Sequence, residues 1–295
     1  MDNKTEGERM GTEMELTGKA RVFAVFGSPI EHSRSPAMHN AAIQALGLEA
    51  VYVPFRVEPD HLPEAIAGVR AMRFAGVNLT IPLKEAAVGL VDELSHEARR
   101  IGAVNTLWWD GDVLVGHSTD GEGFLRSLEA AIGDIPHKAL ILGAGGSSRG
   151  VCHALADRGV KLTISNRTVE KAEKLASEIS NASGNTKASA ISASFEELSE
   201  AAAHATLVVN CTSVGMEPRI NESPLPEQFL RSQHVIYDLV YNPRETLLLR
   251  NARAKGAVAL NGVDMLVHQG ALSFELWTGF KPPLDVMKQA VLDTL

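Results

Sequence analysis

Ala139-Leu140-Ile141-Leu142-Gly143-Ala144-Gly145-Gly146-Ser147-Ser148-Arg149-Gly150 decides the fold of this chain. A short apolar run enters a glycine cluster, and the cluster opens a stretch, Ser148 to Asp157, that reads as a helix. In such a strand–turn–helix unit the first glycine permits the tight turn and the second lets the backbone approach a pyrophosphate. The helix N-terminus then supplies N–H groups and a favourable dipole. The third fingerprint position falls on Ser148, where Gly or Ala is usual, and serine is still small enough for close packing. Tight turns of this kind also occur without a ligand, so the residues downstream carry weight.

A carboxylate about twenty residues beyond the loop would accept a bond from a ribose 2′-hydroxyl. Twenty-one residues after Gly145 stands Asn166-Arg167-Thr168 instead, with Lys171 close behind. A guanidinium suits a 2′-phosphate dianion and gains nothing from a bare hydroxyl. The loop therefore reads as an NADP(H) site, not an NAD site. Around it, Val160–Ser165, Thr206–Asn210, Val235–Leu239 and Ala257–Leu260 read as further strands. Helical stretches at Val169–Ser180, Phe195–Ala203 and Thr246–Lys255 separate most of them, which predicts a parallel sheet covered on both faces. Asn181 to Thr186 reads as a surface loop.

The first half is a smaller α/β unit. Strands are expected at Val22–Phe26, Val51–Phe55 and Gly76–Thr80, and helices at Ser35–Leu46 and Asp60–Met72, with Ser35 capping the first. A hairpin is expected over Val104–Trp109 and Val113–Val115, turning at Asp110-Gly111-Asp112. Residues 1–18 are polar, carry no apolar signal-peptide core, and read as a flexible leader. The 295 residues favour two domains, and the net charge of −8 without a Lys/Arg run speaks against nucleic acid or an anionic membrane as partner. No apolar stretch is long enough for a membrane span, and a cytoplasmic protein is expected. Two cysteines, Cys152 and Cys211, exclude a disulfide scaffold, and the ten histidines form no ligand spacing, so no metal is expected. Cys152, Cys211, Trp108 and Trp109 read as packing residues, and His117 as a surface residue.

Packing does not explain four polar stretches of this first half. Ser33-Arg34-Ser35-Pro36 sets two hydroxyls at a helix entrance, a small anion site suited to a carboxylate. Asn78 to Lys84 ends a strand in polar residues and presents a lysine. Gly102 to Thr106 places Asn105 at a strand edge, and Ser118-Thr119-Asp120-Gly121 begins a helix, where Asp120 alone would read as a cap.

Together these stretches resemble the shikimate dehydrogenase family. The matching motifs are Gly27-Ser28-Pro29-Ile30-x-His32-Ser33-x-Ser35-Pro36-x-x-His39-Asn40, Asn78 to Lys84, Gly102 to Thr106 and Asn166 to Thr168. Asn210-Cys211-Thr212-Ser213-x-Gly215-Met216, Asp238-x-x-Tyr241-Asn242-Pro243 and Gly262-x-x-Met265-Leu266-Val267-x-Gln269 complete the ordered set. The coverage runs from about residue 21 to the C-terminus. One departure is Ser118, which stands where the family usually has Asn before Thr-Asp.

The resemblance implies reversible NADPH-dependent reduction of 3-dehydroshikimate to shikimate, with Lys84 and Asp120 as the catalytic pair. It implies that Ser33 and Ser35 hold the substrate carboxylate, and that Thr80, Asn105, Asp120, Tyr241 and Gln269 contact its hydroxyls and ring. Gly143, Ala144, Gly145, Gly146, Ser147, Asn166, Arg167, Thr168 and Lys171 would bind NADP, with Leu239 and Gly262 near the nicotinamide. It further implies an α/β protein whose C-terminal helices return to the first domain, with residues 19–120 and 263–295 against 121–262. The family contains monomers and homodimers. An unperturbed lysine ammonium is protonated at neutral pH and able to donate to a developing alkoxide, so Lys84 as acid needs no exceptional environment. Two other readings compete: a quinate/shikimate dehydrogenase using NAD or NADP, and a non-catalytic NADP-binding sensor, for which an intact Lys84 and Asp120 would have no use.

Overall fold

The apolar runs at the start of each half alternate sides, and the structure uses both sides. The computed structural model describes residues 16–182 and 186–295. Within them lie two six-stranded sheets. The first contains β1 (Arg21–Gly27), β2 (Ala50–Arg56), β3 (Gly76–Leu79), β4 (Glu93–Leu94), β5 (Thr106–Asp110) and β6 (Val113–His117), in spatial order β2-β1-β3-β5-β6-β4. β1 is parallel to β2 and β3, while β5 runs antiparallel to both β3 and β6. Phe23 and Val25 of β1 pack on one face with α1 (Ser35–Ala45). Ala24 and Phe26 pack on the other with α2 (Leu62–Met72) and with Ala98 of α3 (His96–Ile101). The period of two along a strand makes this division, and it buries the sheet on both sides.

α4 (Asp120–Ile132) leads into the second sheet, which is entirely parallel. Its strands are β7 (Lys138–Leu142), β8 (Lys161–Ser165), β9 (Ala188–Ile191), β10 (Leu207–Asn210), β11 (Val235–Asp238) and β12 (Val258–Leu260), in order β12-β11-β10-β7-β8-β9. Ala139 and Ile141 face α4, α5 (Gly146–Asp157) and α6 (Val169–Ala182). Leu140 and Leu142 face α7 (Phe195–His204) and α8 (Leu247–Ala254). The order reverses between β7 and β10, and an open parallel sheet takes its ligand at the strand ends beside such a reversal. The glycine loop leaves β7 at that point.

After β12 the chain crosses back. α9 (Val263–Thr278) packs on α4, α1 and β5, and α10 (Leu284–Leu292) packs on α1. Phe274, Trp277, Met287 and Val291 complete the core that holds Phe23 and Tyr52. The expected return of the C-terminal helices to the first unit is thus observed. α4 and α5 cross so closely that a Cβ on Gly121 would stand 2.7 Å from the Gly150 carbonyl oxygen, which only glycine permits.

Some local expectations need correction. Ser35 does not cap α1: it is the first helical residue, the cap position is Arg34, and no side chain caps there. α5 begins at Gly146, before the expected Ser148, because Ser148 Oγ donates back to the Gly143 carbonyl at 2.6 Å and seals the turn. β4, α3 and β9 were not expected; at two, six and four residues they are too short for a periodic signal. Of the leader, residues 1–15 lie outside the described residues. Thr17 is no loose end, since its N–H donates to Glu49 Oε1 at 3.1 Å. Residues 183–185 of the expected loop also lie outside, and Asn181 and Ala182 belong to α6.

Candidate active site

One buried polar cluster gathers residues that follow inner strands of the two sheets, Lys84 after β3 and Ser147 after β7. Lys84 follows β3 on a turn closed by the Leu83 N–H to the Thr80 carbonyl at 2.9 Å. Its own carbonyl accepts from the Val104 N–H at 2.8 Å, which sets Asn105 alongside. Asp120 is the first residue of α4 and only 3% exposed. Lys84 Nζ reaches Asp120 Oδ2 at 2.5 Å and Ser147 Oγ at 3.0 Å. The Asp120 carboxylate also accepts from Asn105 Nδ2 at 2.9 Å, so it is engaged by the site and not by its own helix end. Asn105 Nδ2 further approaches Thr119 Oγ1 at 2.9 Å and Gln269 Oε1 at 3.1 Å, while Asn105 Oδ1 accepts from the Thr119 N–H. A buried amide with acceptors and donors on three elements is held in one orientation.

Behind this cluster lies a second polar layer that the sequence signalled only in part. Asn78 Nδ2 donates to the Asn105 carbonyl at 3.0 Å and to Ser273 Oγ at 3.1 Å, and Asn78 Oδ1 accepts from the Tyr52 hydroxyl at 2.7 Å. Ser273, on α9, also meets Thr106 Oγ1 at 2.7 Å. The polar end of β3 was visible in the sequence. Ser273 had no signal, because its partners in this layer, Asn78 and Thr106, lie 195 and 167 residues away.

Thr80 follows β3 with its N–H on the Phe26 carbonyl of β1 at 2.9 Å, while Ser33 lies in the loop after β1 and Ser35 begins α1. Tyr241, from the loop after β11, is brought against the Ser33 side chain and the Arg34 backbone, and burial raises its hydroxyl above the usual value. Freed from capping, the Ser35 hydroxyl faces the Tyr52 hydroxyl. Among the described residues no hydrogen bond joins the Ser33 or Thr80 side chain to the Lys84–Asp120 cluster. His39 is buried behind them, stacked on Tyr52 at 4.3 Å between ring centroids, and burial pushes its imidazole down to about 3.

The glycine loop lies against Lys84, whose Nζ reaches Ser147 Oγ at 3.0 Å. Gly143 adopts φ +108°, a conformation closed to other residues at little cost, and its N–H donates to the Ser165 carbonyl at 2.7 Å. Nothing lies within 4 Å of where a Cβ on Gly145 would stand, so the space above the α5 N-terminus is open. Asn166 Nδ2 closes the turn after β8 onto the Thr168 carbonyl at 2.8 Å. Arg167, Thr168 and Lys171 are exposed beside it, and Arg167 makes no ion pair among the described residues. Gly262 lies directly against the Leu239 carbonyl, whose N–H donates to Asn210 at 3.0 Å.

Asp238, buried beneath this edge, accepts from Asn210 Nδ2, the Val240 N–H and Thr246 Oγ1, yet burial still raises its carboxyl to about 6. Cys152 and Cys211 are free thiols in the core beneath the loop. His117, expected at the surface, is half-buried: its Nδ1 meets Ser95 Oγ at 2.8 Å, and its ring lies edge-on to Trp108. Among the described residues no three metal-capable side chains gather, and no helix is long and apolar enough to cross a membrane.

Three family models cover most of the chain. The shikimate dehydrogenase substrate binding domain matches residues 25–107, shikimate/quinate 5-dehydrogenase matches 129–247, and the shikimate 5′-dehydrogenase C-terminal domain matches 262–292. The shikimate dehydrogenase (NADP(+)) of Desulforamulus reducens is 46% identical over 280 residues, covering 94% of this chain and 96% of the relative. The shikimate 5-dehydrogenase of Thermus thermophilus, solved with NADP(H) and shikimate, superposes with a TM-score of 0.83 at 43% identity, covering 93% of this chain and all of that one. The quinate dehydrogenase of Corynebacterium glutamicum, solved with NAD, superposes with a TM-score of 0.85 at 33% identity, covering 93% and 99%. With this identity running through both sheets and the returning helices, the chain belongs to the shikimate dehydrogenase family.

Proposed function

We propose that this chain catalyses the reversible NADPH-dependent reduction of 3-dehydroshikimate to shikimate. The observation that carries the reading is the Lys84–Asp120 pair, 2.5 Å apart, largely buried, and bonded to Ser147 at the glycine loop. The residues fit an NADP: open space stands above Gly145 at a helix N-terminus, and an exposed guanidinium, Arg167, stands at the end of β8 where an adenosine 2′-phosphate would lie. When bound, the cofactor supplies the hydride; the protein supplies the proton and the orientation. Lys84 Nζ holds a proton for the substrate carbonyl oxygen as it becomes the alcohol, and Asp120 Oδ2, 2.5 Å away, holds that ammonium in place.

In this reading Ser33 and Ser35 take the substrate carboxylate, and Thr80, Asn105, Tyr241 and Gln269 take its hydroxyls and ring. Gly143 to Ser147 receive the diphosphate, Asn166, Arg167, Thr168 and Lys171 the adenosine end, and Leu239 and Gly262 border the nicotinamide. The substrate-binding unit comprises 19–120 and 263–295, and the nucleotide-binding unit 121–262. The beginning of α4 at Asp120 and of α9 at Val263 supports that division. Two free thiols suit a reducing, cytoplasmic compartment.

Steady-state rates with shikimate and with quinate, each with NADP+ and NAD+, test the assignment. Shikimate with NADP+ is expected to give the largest kcat/KM. Quinate with NAD+ giving the larger value would replace it with the quinate-type activity, and no cofactor reduction under any pairing would leave a binding protein.

A further inference from the structure

We propose that Ser147 is a positioning residue that aims the Lys84 ammonium from the nucleotide side of the cleft. The proposal rests on the reading of Lys84 as the proton donor. A lysine ammonium has three N–H groups and accepts nothing. One reaches Asp120 Oδ2 at 2.5 Å and a second reaches Ser147 Oγ at 3.0 Å. Asp120 alone would fix the distance of Nζ and leave the group free to turn about that contact. A second partner in another direction fixes the remaining N–H, which is then left for a substrate oxygen.

The two partners come from different units, Asp120 from the start of α4 and Ser147 from the first turn of α5. The position of Ser147 is set by the docking of that turn. A Cβ on Gly146 would stand 3.0 Å from Lys84 Cβ, and one on Gly150 would stand 3.2 Å from Asp120 Cβ. Between them Arg149, its side chain 12% exposed, donates through Nε to the Ile101 carbonyl and through Nη2 to Glu178. The stretch from Gly146 to Gly150 therefore touches the segments that carry Lys84 and Asp120, and the end of α3 that leads to Asn105. A hydroxyl accepting from Lys84 keeps its own proton to donate toward the anion seat at the helix N-terminus. One side chain thus faces both the lysine and the cofactor's place, and the ammonium is aimed only when α5 is docked.

The test compares wild type, Ser147→Ala and Ser147→Thr by steady-state kinetics, by the isotope effect with NADPH deuterated at the transferred position, and by acetylation of Lys84 in the cofactor-free protein read by mass spectrometry. The alanine variant is expected to lose roughly tenfold in kcat, the scale of one hydrogen bond to a charged group. Its KM for 3-dehydroshikimate should stay within about twofold while the isotope effect on kcat rises. Lys84 should acetylate faster, and threonine should restore all three readouts. A loss confined to KM for NADPH would make Ser147 a cofactor contact only and overturn the proposal. So would unchanged kcat with unchanged labelling, or a fall in kcat with neither isotope effect nor labelling altered, which is the mark of fewer folded molecules. If wild type itself does not turn over shikimate, the functional reading fails, and the labelling arm still decides whether Ser147 holds Lys84.

Discussion

Replacing Lys84 by methionine separates its part in stability from its part in chemistry. The side chains of Lys84 and Asp120 are 13% and 5% exposed, so the pair is shielded from water and its charges are poorly screened. Without the ammonium, the Asp120 carboxylate keeps a single side-chain donor, Asn105 Nδ2 at 2.9 Å, inside a closed surrounding. Removing one partner of a buried pair typically costs about 3 kcal/mol, and that loss should appear in urea unfolding at neutral pH. Removing both charges, in Lys84→Met with Asp120→Asn, leaves an amide that still accepts from Asn105. Stability should return to within about 1 kcal/mol of wild type.

Turnover behaves differently. Lys84→Met loses its proton donor and should fall at least ~10²-fold in kcat, with shikimate affinity little changed. The double variant should recover none of that loss, because the amide introduced beside the methionine removes the unpaired charge and supplies no acid. Urea midpoints and saturating kinetics on the three proteins give the whole comparison. Ordinary turnover in Lys84→Met, or activity that returns together with stability in the double variant, refutes the assignment of the proton to Lys84.

Two further outcomes concern other parts of the molecule. Arg167→Ala should weaken NADPH roughly 10- to 100-fold and NADH hardly at all, since one charge-assisted contact to a phosphate is lost; equal weakening of both, by fluorescence titration, would put the guanidinium elsewhere. Acid should destabilise the fold through its buried histidines, because burial holds His39 down to about 3 and His153 to about 4. Both are neutral when folded, so the unfolded chain takes up protons first: stability is full above about pH 6.5 and declines as pH falls toward the folded values. Each histidine should cost about 2 kcal/mol by pH 5, while Asp238, raised to about 6, returns about 1 kcal/mol over the same range. His39→Leu should reduce the stability difference between pH 7.5 and pH 5 by about 2 kcal/mol in urea unfolding, and an unchanged difference would contradict the assignment.

The parallel sheet and its ligand edge were legible because their signals are local. A buried strand of four apolar residues, a glycine turn and a helix start sit within twelve positions, and their order dictates a strand–loop–helix unit. The cation after β8 was legible for the same reason, being counted along the chain from Gly145. Helix ends were less so. Ser35 and Asp120 both look like caps in sequence, and whether a polar residue caps its helix or turns into a cleft depends on what the cleft offers. Asp120 finds Lys84 and Asn105 there, whereas Ser35 meets Tyr52 inside the core.

The chemical groups and the elements that carry them are written in the order of residues: two α/β units, a glycine loop after a buried strand, a lysine and an aspartate near strand ends. It took the folded arrangement to bring Lys84 to Ser147, 63 residues away, to bring Gln269 to Asn105 across 164, and to close the polar layer behind them with Ser273. Local pattern constrains a chain over a turn or a strand length. Contacts between segments so far apart arise from how two sheets and a returning helix pack, and that packing is written across all the buried surfaces together.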